Sequence, residues 1–143
     1  MVILTQDTKE GAEFSGRPKV VSEGRVYAFS GGCFSEPGWP KKNVHTDLEF
    51  AKNCGLPTRV VSATQYMGYL VELMLHLFGE SWLNHEKLNL KFIAPVDVGD
   101  RLTPKAVVRS REIEGCCVKF HLDVWCENQH GSKVAIGTAS GLV

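Results

Sequence analysis

The chain has 143 residues, enough for one domain whose core needs no metal or disulfide, and its 43% hydrophobic and 22% charged content is that of a soluble globular protein. Lys+Arg and Asp+Glu are equal at 16 each, so the formal charge is zero and nothing in it draws the protein to nucleic acid or an anionic membrane. No apolar run approaches the roughly 20 residues that span a bilayer, the start lacks a basic signal-peptide region, and the cysteines (Cys33, Cys54, Cys116, Cys117, Cys126) fit no zinc or redox spacing, which points to a cytoplasmic protein with reduced thiols, no metal and no cofactor.

Residues 1–11 read as a polar leader and 12–21 as an edge strand. Ser22 caps a short helix that stops at Gly31-Gly32, with Val26 and Phe29 as its apolar face. Residues 33–43 (CFSEPGWPKKN) hold two prolines and a glycine and form a loop, in which Trp39 either packs on the core or lines a pocket. Thr46 or Asp47 caps a second short helix ending at Gly55, with Leu48, Phe50, Ala51 and Cys54 expected inward.

Ser62, or alternatively Thr64, opens the one long apolar helix, over about 63–78 and stopping at Gly79. Tyr66, Leu70, Leu73 and Leu77 form one stripe, and Met67, Val71, Met74 and Phe78 the adjacent one, as in a helix covered on most sides. Gly68 in its interior is explained if a strand packs closely there. Four strands follow, at 87–94, 101–111, 118–127 and 132–142. The third is the clearest, with Val118, Phe120, Leu122, Val124 and Cys126 on one face and Trp125 on the other, where it suggests a contact with another subunit. The turns between them predict an antiparallel meander, and the whole is α+β: an antiparallel β-sheet wrapped around one long central helix.

Four fragments, in order, carry a family resemblance: HTDLEFAKNCGLP, RVVSATQYMGYLVELM, KLNLKFIAPVDVGDRL and ENQHGSKVAIGTASGLV. The third holds F-x-x-P-V-x-x-G-D (Phe92, Pro95, Val96, Gly99, Asp100), and the fourth N-x-x-G-x-x-V-x-x-G-x-A (Asn128, Gly131, Val134, Gly137, Ala139). Over residues 12–143 the chain resembles the MaoC-like dehydratases, which include the (R)-specific enoyl-CoA hydratases. The resemblance implies a single hot-dog domain, residues 1–143 with the leader, and two such domains paired around an acyl-CoA pocket. It also implies hydration or dehydration of acyl thioesters by an aspartate and a histidine in D-x-N-P-x-H. The histidine falls on His45. The aspartate falls on Pro40, the asparagine on Lys42 and the proline on Asn43, and the His-Gly before the central helix becomes Ser62-Ala63.

His45 is the expected acid-base residue, since imidazole titrates near neutral pH. Glu36 in the same loop and Tyr66 on the helix are the candidates for a second group, although Tyr66 equally serves as packing. Ser62, Ala63, Thr64 and Gln65, at the helix N-terminus, and Trp39 are the expected substrate-binding residues, the free amides of the first turn suiting a thioester oxygen that gains charge. Asp47 is expected to cap its helix. His76, His85, His121 and His130 have no ligand-like spacing. The expected partners are an acyl-CoA or other acyl thioester and a second copy of the chain, as a homodimer or higher homo-oligomer, with no nucleic acid or membrane. Two alternatives stay open: a non-catalytic, regulatory acyl-CoA-binding subunit, and a thioesterase using Glu72, the one carboxylate on the long helix.

Overall fold

The computed structural model describes residues 3–85 and 87–143, apart from the side chain of His85; Met1 and Val2 of the expected leader also lie outside the described residues. Ten elements follow in order: β1 (Glu13–Ser15), β2 (Lys19–Val20), α1 (Glu23–Ser30), α2 (Leu48–Asn53), α3 (Ala63–Phe78), α4 (Trp82–His85), β3 (Lys87–Phe92), β4 (Arg101–Glu114), β5 (Cys117–Glu127) and β6 (Lys133–Leu142). The strands form one antiparallel sheet in the order β1-β4-β5-β6-β3, with β2 paired to the start of β4.

The long helix has the span its apolar run predicts. Tyr66, Leu70, Leu73, Met74, Leu77 and Phe78 are buried against the inner face of the sheet. That face is supplied by residues two apart, since side chains alternate along a strand: Leu102, Ala106 and Val108 from β4, then Val118, Phe120, Leu122, Val124 and Cys126 from β5, all buried. Burial disfavours the thiolate of Cys126 and pushes its pKa up to about 12. Trp82 is buried beyond the helix end, and its indole N–H donates to the Ser140 carbonyl at 2.9 Å. Gly141 makes room for it, since a Cβ there would meet Trp82 at 2.7 Å and Phe78 at 2.9 Å.

Several expectations are corrected. The four last strands are not a simple meander: β3 crosses over to pair with β6, Lys87 opposite Ser140, and only β4, β5 and β6 follow one another. Residues 3–4 do not trail off as a polar leader. Leu4 is buried, and the amides of Ile3 and Leu4 donate to the carbonyls of His76 and Leu77 at 3.1 and 3.0 Å, partnering two of the carbonyls that a helix end leaves free. Among the described residues no strand packs on Gly68; it is exposed, with none of their atoms within 4 Å of where a Cβ would stand. Phe29, Leu48, Phe50 and Cys54 are exposed as well, because each short helix turns only one small position inward, Val26 in α1 and Ala51 in α2. Among the described residues no helix is long and apolar enough to cross a membrane.

Candidate active site

The site is built where the segment between α1 and α2 meets the start of α3. The sequence Asn43-Val44-His45-Thr46 folds into a tight polar turn because Asn and Thr side chains can bond to nearby backbone. Asn43 Oδ1 accepts from the amides of His45 (2.9 Å) and Thr46 (3.2 Å), and its Nδ2 donates to the carbonyl of Ser30 at the end of α1 (2.8 Å). In return the Thr46 hydroxyl accepts from the Asn43 amide at 3.0 Å and donates to the Lys41 carbonyl at 2.6 Å. Arg59 closes the turn from the other side, donating to the Thr46 carbonyl (3.3 Å) and the Tyr27 hydroxyl (3.1 Å) and pairing with Glu23 at 2.8 Å. The Tyr27 hydroxyl and then the Arg59 guanidinium hold the Glu23 carboxyl below its usual range.

This turn holds half-buried His45 with its Nδ1 2.6 Å from the Val60 carbonyl oxygen. A carbonyl only accepts, so Nδ1 must carry the proton, and the neutral ring therefore presents Nε2 with its lone pair free. Val60 lies two residues before Ser62, the N-cap of α3. Ser62 makes no side-chain cap; its hydroxyl meets that of Thr64 at 2.9 Å instead. Gln65 N donates to the Ser62 carbonyl at 3.0 Å, while among the described residues the amides of Ala63 and Thr64 have no partner. A free basic nitrogen and unpaired helix amides are thus tethered to one short stretch, residues 60–64.

The other expected site residues are placed as follows. Glu36 is ion-paired with Lys41 at 2.6 Å in the loop. Tyr66 is buried, its ring edge-on to Phe92 at 5.4 Å, and burial raises its pKa. Trp39 packs against Phe34 and Tyr27, with ring centroids 4.7 and 6.2 Å away. Gln65 is buried at 8% exposure and helps line an open hollow together with Arg25, Ala28 and Phe29 of α1. Asp47 caps α2 through the Phe50 amide at 2.7 Å, which, with Lys42 nearby, lowers its pKa. Among the described residues no three His, Cys, Asp or Glu side chains gather as a metal ligand set would. Asn43 and Arg59, which position His45, were not among the expected site residues. The Asn-x-x-Thr spacing around the histidine was the available signal for the first; Arg59 had none, because its partners are Glu23 and Tyr27 of α1 and a backbone carbonyl, that of Thr46.

An antiparallel sheet closed around one buried helix is the hot-dog fold, and solved structures share it at nearly full length. A MaoC-like dehydratase from Rhodospirillum rubrum superposes with a TM-score of 0.75 at 19% identity, over 99% of this chain and 96% of that one. An (R)-hydratase from Pseudomonas aeruginosa gives 0.72 at 17% identity over 96% and 87%, and an (R)-hydratase from A. caviae involved in PHA biosynthesis gives 0.69 at 21% over 95% and 97%. Curated proteins give no match to the sequence. The family model of the MaoC like domain matches residues 42–121, so the chain belongs to that family.

Proposed function

We propose that the protein adds water to, or removes it from, acyl thioesters such as acyl-CoA, with His45 as the acid-base residue. The observation that carries this reading is the His45 Nδ1–Val60 bond, which among the described residues leaves Nε2 without a partner and ties the ring to the chain two residues before the N-cap of α3, whose first amides are unpaired. In the hydration direction, Nε2 takes a proton from water as the water oxygen bonds to the β carbon of an enoyl thioester. The displaced π electrons move onto the thioester oxygen, where the Ala63 and Thr64 amides receive the negative charge. As the carbonyl re-forms, the α carbon takes the proton back from the imidazolium, and the double bond has gained one water. No second residue is needed in this scheme. That fits the carboxylates nearby, since Glu36, Asp47 and Glu23 are each engaged by a partner of their own. The protein works in the cytoplasm as a single-domain chain in a homodimer, the second copy covering Phe92 and Ile93, which are exposed at the end of β3. The test is hydration of crotonyl-CoA and longer enoyl-CoAs by the parent and by His45→Ala. Loss of about 100-fold or more with an unchanged unfolding transition is expected; equal rates in the two proteins would sink the assignment.

A binding or regulatory subunit is the second reading, favoured by Pro40 standing where the resemblance places the family's aspartate. It predicts tight acyl-CoA binding with no turnover by the parent protein. The thioesterase reading is disfavoured, because Glu72 is ion-paired with Lys19 and lies more than two turns along α3.

A further inference from the structure

The hairpin between β4 and β5 ends in two adjacent free thiols. Glu114 pairs with Cys117, so the turn consists of Gly115 and Cys116 alone. Gly115 has the positive φ (62°) that the first position of a type II′ turn requires. Cys116 follows at the exposed tip, and Cys117, half-buried, opens β5. Consecutive side chains of a strand point to opposite faces, but the turn brings these two together, with their sulfurs 3.8 Å apart. The Gln6 side-chain amide donates at 3.1 Å to the Cys116 carbonyl, which belongs to the peptide joining the two cysteines, and so holds the tip in this arrangement.

Neither sulfur has a part in the acid-base chemistry proposed for His45. A structural metal takes four ligands, and among the described residues no third His, Cys, Asp or Glu joins the pair. Two accessible sulfurs in contact are enough for a disulfide. The adjacency decides what kind of disulfide it is. A trans peptide sets the two Cα atoms about 3.80 Å apart, below the roughly 4.4–6.8 Å usual for disulfides. A bond closed across one peptide is therefore strained, and strained, exposed disulfides are the labile ones. The resting pair is the dithiol, as in the structure, and the oxidised pair is readily reduced.

We infer that Cys116 and Cys117 form a reversible oxidation site, closed to an intramolecular disulfide by a peroxide and reopened by small thiols. The Cys116 sulfur, the more exposed of the two, attacks one peroxide oxygen; the O–O bond breaks and the first water leaves, with Cys116 now a sulfenic acid. The Cys117 sulfur then displaces the hydroxyl from Cys116, the S–S bond forms, and the second water leaves with the Cys117 proton. Two thiols have lost two electrons and two protons, and the peroxide has become two waters. The neighbouring Cys116 sulfur raises the pKa of Cys117, which suits Cys117 to the second step, where it brings its proton to the leaving hydroxyl. Reopening is exchange with two small thiols, which leave as their own disulfide. The inference stands apart from the acyl-thioester reading.

It is tested on the whole protein with hydrogen peroxide, followed by iodoacetamide, trypsin and mass spectrometry of the peptide 112–119, which holds both cysteines. The expected peptide carries no alkyl group and is lighter by two hydrogens, and prior treatment with reduced glutathione restores alkylation of both sulfurs. Cys117→Ser is expected to keep a sulfenic acid on Cys116 that dimedone labels. Both positions are at the surface of a turn, so the variant is expected to fold, as thermal unfolding would check. Two alkyl groups on the peptide after peroxide, sulfinic acid in place of the disulfide, a disulfide between two chains or one that resists glutathione overturns the inference. Absence of the dimedone label from Cys117→Ser overturns it as well.

Discussion

The body formed by α3 and the sheet and the segment carrying α1, its loop and α2 are held by different forces. In the body, large side chains interlock: Leu70, Met74 and Leu77 from the helix meet Phe120, Leu122 and Val124 from β5, and all are almost fully buried. In residues 22–55 the buried apolar side chains are only Val26 and Ala51, while Phe29, Phe34, Leu48 and Phe50 face outward. Hydrogen bonds and ion pairs hold that segment instead, through Asn43, Thr46 and Arg59. Apolar burial is non-directional and sets how stable the fold is. Hydrogen bonds contribute less to stability but fix direction. The histidine is therefore aimed by the part of the molecule that contributes least to its stability.

The largest effect expected from this contrast is in the body. Phe120→Ala should lower the free energy of unfolding by about 3–5 kcal/mol and Leu70→Ala by about 2–5 kcal/mol, from lost transfer energy plus the cavity left behind; urea denaturation measures both. If either cost less than 1 kcal/mol, the body would not be the stabilising half. Asn43→Ala should cost less, about 1–3 kcal/mol, confined to the turn whose groups lose their partners. Its signature is faster hydrogen exchange at the His45 and Thr46 amides, with α3 still protected, together with a lower hydration rate. Equal loss of protection in α3 would mean that the two regions unfold as one. The smallest effect leaves stability untouched. The Ser35 hydroxyl and amide lower the pKa of exposed Cys33, whereas burial raises that of Cys126, so at pH 8 iodoacetamide should label Cys33 first and Cys126 last. Mass spectrometry of tryptic peptides reads the order, and early labelling of Cys126 would show that the body opens as readily as the segment.

What the sequence made legible divides along the same line. The bounds of α3 and the inward face of β5 follow from apolar spacing alone, because the burial of each is set by its own periodicity. The pairing of β3 with β6 was not legible, since neighbouring strands in sequence are the default and the crossover depends on how the sheet closes around α3. Inward faces assigned to α1 and α2 failed at Phe29, Leu48, Phe50 and Cys54, because a helix of two turns does not need a whole apolar stripe. At the site, the histidine and the helix start could be read from residue type, but the Val60 contact that selects the tautomer comes from a backbone carbonyl, which any residue would provide. The burial of Gln65 was hidden for a related reason: a polar residue in the first turn of a helix normally faces water.

The place of β3 at the edge beyond β6 has a consequence for how the chain folds. β3 is synthesised soon after α3, with only α4 between them, but its hydrogen-bonding partner emerges only after β4 and β5 are complete. Until then β3 has no ladder to join, and its Leu88 and Leu90 have no sheet behind them. Contacts this distant in sequence slow folding, and unpaired strands expose the chain to wrong partners while they wait. Lys87, which begins β3, and Lys91 near its end suit that interval, since charged side chains on an open strand discourage pairing between chains. Closure of the sheet around the helix is thus a late event, and the helix that gathers the core spends the early part of folding covered on one side only.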